Sequence, residues 1–273
     1  MLRDAYMTHQ YDDISVVLHD HVAVVEIQRP PHNFFDVSLI RQIANAFDRL
    51  DEDLSCRAIV LASEGKSFCA GANFGSGGND ESASNEFTEQ GFMNTTGTLY
   101  REGVRLFSAR KPIVAAVQGA AIGGGLGLSL VADFRIASPE ARFAANFVKL
   151  GIHPGFGLTV TLPAIVGQQA ANLMFLTGRR LKGEEALSLG LVDELVEQTT
   201  LRDRAIAFAS EIAENAPLAI VSVRATARQG LAEKIDKATD HELAEQQWLR
   251  ATNDAEEGIK AVAERRVGQF TGT

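Results

Sequence analysis

Hydrophobic positions form short unbroken runs in the first half of the chain and recur at helical spacing in the second half. Residues 22–28 (VAVVEIQ), 57–62 (RAIVLA), 113–117 (IVAAV) and 133–137 (DFRIA) read as strands. Such runs suit strands covered on both faces. Arg29–Pro30 closes the first strand, and Pro112 precedes the third. Residues 37–50 place Leu39, Ile40, Ile43, Phe47 and Leu50 on one helical stripe, with Asp36 or Ser38 as N-cap. A turn at Gly123–Gly125 leads into an apolar helix ending near Val131. Strand alternating with helix predicts an α/β fold with largely parallel pairing. From about residue 168 the pattern turns helical: QQAANLMFLTG, GEEALSLG, then 200–214, 217–229 and 231–266. Pro217 and Gly230 punctuate the last three segments. The expected organisation is a core over 12–199 and a helical region over 200–273, packed on the core or on another subunit.

Composition narrows the function. The 273 residues carry 26 Lys+Arg against 35 Asp+Glu, a net charge of -9. An acidic chain repels phosphate, so neither nucleic acid nor an anionic membrane is an expected partner. Cys56 and Cys69 form no CxxC pair and no disulfide framework, which suits a reducing cytoplasm. The opening MLRDAYMTHQYDD has no apolar core of a secretory signal. A cytoplasmic location is expected.

Several sites are excluded by spacing. Gly65-Lys66-Ser67 resembles the end of a phosphate-binding loop, but its first glycine would fall at Val60. Gly123 and Gly125 begin a dinucleotide fingerprint whose third glycine would be Leu128. No zinc-like grouping of Cys and His is present in the sequence. Two segments survive. One is 65–74 (GKSFCAGANF), a turn directly after a strand; the other is 111–127 (KPIVAAVQGAAIGGGLG), a strand, a turn and a helix start. A helix N-terminus offers unpaired N–H groups, and glycines let a ligand approach them. Two such turns can aim donors at one oxygen, or can simply pack a helix tightly on a sheet.

The order SFCAGA, KPIVAAVQGAAIGGG, ADFRIAS, ARFAANFVKLGIHPGFG, RLKGEEALSLGLVDELV and ERRVGQF resembles the crotonase (enoyl-CoA hydratase/isomerase) superfamily over about residues 12–270. The resemblance implies a crotonase-like ββα superhelix with a C-terminal helical trimerisation region. It implies a homotrimer or hexamer acting on an acyl-CoA thioester, with no metal and no separate cofactor, since coenzyme A is part of the substrate. It places the two oxyanion-hole N–H groups at Ala72 and Gly124. Ala70, Phe74, Gly123, Asn146 and Phe147 would line the substrate, and Arg265 would meet coenzyme A, with Arg29 or His32 where relatives use a base. Asp133 matches a carboxylate of mainly structural use.

The two glutamates of family hydratases do not carry over. Their positions hold Gly127 and Phe147, and neither side chain can move a proton. Ordinary hydration is therefore disfavoured. His153, in the following loop, is a candidate acid or base for double-bond migration or C–C bond hydrolysis, or a loop histidine bonded to backbone near Pro154. Asp80, Glu81, Glu86 and Glu89, in the polar stretch 75–90, and Glu102 on the next helix are further candidates to reach the pocket, or are solvated surface carboxylates. Cys69 reads as a packed residue. The alternative class is an acyl-CoA binder without chemistry.

Overall fold

The computed structural model describes residues 6–7, 11–73 and 89–273. The elements in chain order begin with β1 (Tyr6–Met7), β2 (Ile14–His19), β3 (Val22–Ile27), α1 (Val37–Glu52), β4 (Ala58–Ser63) and β5 (Ser67–Cys69). Then come α2 (Glu89–Phe107), β6 (Ile113–Val117), β7 (Ala120–Ile122), α3 (Gly124–Ser129), β8 (Phe134–Ala137) and β9 (Arg142–Ala144). A 3₁₀ turn (Asn146–Leu150) leads to α4 (Leu158–Thr177), β10 (Leu181–Lys182), α5 (Gly183–Ser188) and β11 (Glu194–Leu195). The chain closes with α6 (Leu201–Ala213), α7 (Pro217–Ala227), α8 (Leu231–Leu249) and α9 (Asn253–Ala263).

Two sheets organise these elements. The larger runs β1-β2-β3-β4-β6-β8-β11, antiparallel through β3 and parallel from there on. The smaller runs β10-β9-β7-β5, with β9, β7 and β5 parallel. Alternation along the central strands sorts their side chains onto two faces. Ala23, Val25, Ile27, Ile59, Leu61, Ile113 and Ala115 join the main core with Leu39, Ile43 and Phe47 of α1. Val22, Val24, Val60, Ala62, Val114 and Ile136 face Leu201, Ala205 and Ala209 of α6. This double cover is why the strands read as continuous apolar runs.

The sequence-derived strands and α1 stand where expected, and Asp36 caps α1 by accepting from the Leu39 N–H at 2.8 Å. Several features differ, and the strands β7, β9, β10 and β11 were not expected either. Segment 65–74 is not only a turn, because Ser67–Cys69 pairs with β7 as β5. The helix expected from about 168 begins at Leu158, and the kink at Gly167 (φ 77) lies inside it. The segment 231–266 is two helices, α8 and α9; Thr252 caps the second by accepting from the Ala255 N–H at 3.2 Å. Strand β2, not anticipated from sequence, pairs along the whole of β3.

The C-terminal helices divide their roles. Helix α6 covers the large sheet. Helix α8 packs along α2 and α4, and α9 against the 3₁₀ turn. Helix α7 is apolar (PLAIVSVRATA) yet mostly exposed, with Leu218 84% and Val223 68% accessible. Among the described residues no single helix is long and apolar enough to cross a membrane, although α6 and α7 together, bent by 102°, pass on length and composition.

Candidate active site

The two glycine segments meet. Strand β5 ends at Cys69, and Gly71 turns the chain with φ 81, a left-handed value that glycine adopts without strain. The Ala70 N–H donates to the His32 carbonyl at 3.0 Å, and the Phe35 N–H to the Gly71 carbonyl at 3.1 Å. These bonds lay residues 32–35 along the turn. Across from it, β7 ends at Ile122, and Gly123 (φ 57, ψ -121) bends the chain into α3. The Gly123 N–H is held by the Ala144 carbonyl at 2.8 Å. A methyl group on Gly71 would lie 2.8 Å from the Ile122 carbonyl oxygen and 3.6 Å from the Gly124 nitrogen. The turn carrying Ala72 thus abuts the first turn of α3. Gly124, at the start of that helix, has no intrahelical acceptor for its N–H. Ala70 and Ala72 are half-buried.

Aromatic rings pack on the glycines of α3. A side chain on Gly124 would overlap the ring of Phe35. One on Gly127 would reach Phe156 Cδ1 at 2.8 Å, and one on Gly123 would contact Phe147 Cζ and Asn146 Oδ1, each at 3.6 Å. Phe35 and Phe156 stack with centroids 5.4 Å apart. The structure therefore brings Gly123, Gly124, Asn146 and Phe147 together beside the turn of Ala70 and Ala72. Phe74, Asp80, Glu81 and Glu86 lie outside the described residues, and the side chain of Glu89 does too.

His153 is half-buried, and the described contacts of this residue run toward α8. Its Nδ1 lies 2.7 Å from the Pro154 carbonyl, its ring meets that of His241 edge-on at 5.8 Å, and its carbonyl accepts from Gln246 Nε2 at 2.7 Å. Since a carbonyl only accepts, Nδ1 carries the proton, and in the neutral ring Nε2 keeps its lone pair. Arg265 is exposed, in a left-handed conformation (φ 56) at the end of α9. Arg29 is ion-paired with Asp13 at 2.6 Å and Asp36 at 2.8 Å. Exposed His32 keeps its Nδ1 3.2 Å from the Ser67 hydroxyl. Glu102 is bound by Arg41 and Arg105, tying α2 to α1. Cys69 is fully buried, and burial pushes its thiol up to about 12, so it is an inert packing residue.

Asp133 sits at a junction. It accepts from the Ile113 N–H at 2.8 Å and pairs with Arg224 of α7 and with Arg228, the residue that ends α7, each at 2.8 Å. Three participants carried no sequence signal for a site. Phe35 packs over Gly124, Tyr100 donates to Gln246 Oε1 at 2.9 Å, and Glu242 is wholly buried behind the His153 loop. Burial raises the Glu242 carboxyl, outweighing the hydrogen bonds from Thr159 and Gly157. Burial likewise raises the Tyr100 phenol. In sequence, Glu242 is one charge among many on a charged helix, so only the long-range contact reveals it.

Comparison with known proteins adds an independent line. The family model described as enoyl-CoA hydratase/isomerase matches residues 18–273. The chain is 36% identical over 268 residues to the (E)-benzylidenesuccinyl-CoA hydratase of Thauera aromatica, covering 95% of this chain and 99% of that one. It is 31% identical over 264 residues to a probable enoyl-CoA hydratase of Bacillus subtilis, covering 95% and 98%. Among solved structures, an enoyl-CoA hydratase/isomerase from Pseudoalteromonas atlantica superposes with a TM-score of 0.80 at 28% identity, covering 95% of this chain and all of that one.

Proposed function

Because the chain belongs to the enoyl-CoA hydratase/isomerase family, we propose that it binds an acyl-CoA thioester with the carbonyl oxygen between the Ala72 and Gly124 N–H groups. The observation that carries this reading is the meeting of the two turns, so close that a methyl group added to Gly71 would lie 3.6 Å from the Gly124 nitrogen. Donors placed there polarise the carbonyl and hold the negative charge of an enolate, each contributing about 2.7–4 kcal/mol in the transition state. Ala70, Gly123, Asn146 and Phe147 contact the acyl portion, and Arg265 the coenzyme A phosphates. Coenzyme A enters as part of the substrate.

Proton transfer does not use a pair of glutamates at 127 and 147. Gly127 and Phe147 have no acidic group, and the Phe156 ring fills the space a side chain at 127 would enter. The reaction is accordingly of the lyase or isomerase type by another acid or base. A second reading gives that role to His153, for double-bond migration or C–C bond hydrolysis. It is favoured by the Nδ1 contact with the Pro154 carbonyl, which places the proton of the neutral ring on Nδ1 and the lone pair on Nε2. The assembly in this reading is a homotrimer or a pair of trimers in the cytoplasm, supported by the exposed apolar surface of α7.

The test is turnover across a panel of acyl-CoA thioesters, with crotonyl-CoA included. Hydration of crotonyl-CoA at least about 10²-fold below that of a two-glutamate relative is expected, the scale of one lost acid–base group. Turnover equal to such a relative contradicts the reading. His153→Ala abolishes the preferred reaction if His153 carries the proton and leaves it unchanged if it does not. Tight acetoacetyl-CoA binding with no turnover anywhere in the panel identifies a binder that has lost its chemistry.

A further inference from the structure

Gly157 opens helix α4 with φ 73 and has no side chain to cap it. The cap comes from 85 residues away. Glu242 Oε2 accepts from the Gly157 N–H at 2.8 Å, while Oε1 accepts from the Thr159 N–H at 3.1 Å and the Thr159 hydroxyl at 2.6 Å. Glu242 is 0% exposed. Its neighbours on the same face of α8 hold the same loop. Ile235 Cγ2 stands where a side chain on Gly157 would reach 2.7 Å, and Gln246 bridges the His153 carbonyl and the Tyr100 hydroxyl at 2.7 and 2.9 Å. Tyr100 in turn occupies the space against Gly155.

Between those fixed points stands Phe156, a bulky residue at φ 61. That conformation persists only where the surroundings impose it. Its ring is lodged between Gly103 of α2 and Gly127 of α3, at 2.9 and 2.8 Å from where their side chains would begin, and it stacks on the Phe35 ring over Gly124. We propose that Glu242 is a positioning residue of the active site: its carboxylate caps the His153–Thr159 segment and thereby holds Phe156 as the aromatic wall of the acyl pocket beside Gly124. A carboxylate suits the task because both oxygens accept, serving three donors at once, whereas the amide of Gln has a single acceptor oxygen. Helix α8 thus sets the shape of a site whose other walls come from residues 35–156. The role given to the wall rests on the acyl-CoA reading above.

Two measurements separate the clamp from that reading. Hydrogen exchange of the Gly157 and Thr159 amides in the full-length protein reports the clamp alone. Glu242→Gln should raise exchange at these two amides by about tenfold or more, the consequence of losing a hydrogen bond to a charged acceptor. Thr159→Val, a milder lesion of the same contact, should raise it less. Unchanged local exchange in both variants overturns the proposal. Titration with acetoacetyl-CoA then tests the wall. Affinity should weaken about tenfold in Glu242→Gln while the melting transition stays above the assay temperature, and Thr159→Val should weaken it in proportion to its exchange. Equal affinity in wild type and both variants overturns the positioning role even if exchange rises. No binding by the wild type instead overturns the acyl-CoA reading, and the wall with it, while the exchange data still decide the clamp.

Discussion

Gly127 and Phe156 limit each other's size. The ring lies 2.8 Å from the first atom any side chain at 127 would add. Gly127→Glu should therefore be destabilised by roughly 1–3 kcal/mol from overpacking, and Phe156→Ala by about 3–5 kcal/mol from the cavity it leaves. Because they share one volume, the double variant should be less destabilised than the sum by about 1 kcal/mol or more. Urea denaturation of the four proteins measures this coupling, and strict additivity would show that the ring and the glycine do not compete. Part of the arrangement was legible in the sequence. Gly127 stood out because the resemblance asks for a carboxylate there, and glycines at 71, 123 and 124 marked turns. Phe35 was not legible: its packing over Gly124 depends on two backbone bonds, from Ala70 to His32 and from Phe35 to Gly71, that join segments distant in the chain.

At the scale of elements, Asp133 joins three pieces. It precedes β8, accepts from the first residue of β6 and holds Arg224 of α7, 9% exposed, together with Arg228 at the end of that helix. Asp133→Asn keeps the shape and removes the charge that two buried guanidinium groups face. Losing one partner of a buried pair costs about 3–5 kcal/mol. Chemical denaturation should show a loss of that order; a change under 1 kcal/mol would mean solvent already satisfies the arginines. The elements themselves were legible where pattern and packing coincide. The central strands are buried on both faces, so their apolar runs were plain. Helix α4 was read ten residues late because Pro163 and Gly167 interrupt its pattern, although the chain stays helical around a kink. The break between α8 and α9 was missed because charged and apolar residues continue across it, and Thr252 alone signals the new N-cap.

At the scale of the whole molecule, α7 is an apolar helix that the monomer leaves mostly uncovered. It turns Arg224 inward to Asp133 and leaves Leu218 and Val223 in solvent. A monomer exposing an apolar helix is expected to bury it on assembly. If the protein forms the proposed trimer, Leu218→Asp with Val223→Asp should shift it toward monomer in sedimentation velocity without altering the far-ultraviolet helix signal. An unchanged trimer would place the interface elsewhere, and a monomeric wild type would refute the assembly. This surface was only half legible in the sequence, which showed an apolar helix but not which side of it the core would claim. The central claim, that two glycine turns form the thioester site, is tested most directly by a crystal structure with acetoacetyl-CoA bound. The expected result is the thioester oxygen about 3 Å from both the Ala72 and Gly124 nitrogens. A thioester oxygen bound away from both nitrogens would contradict it.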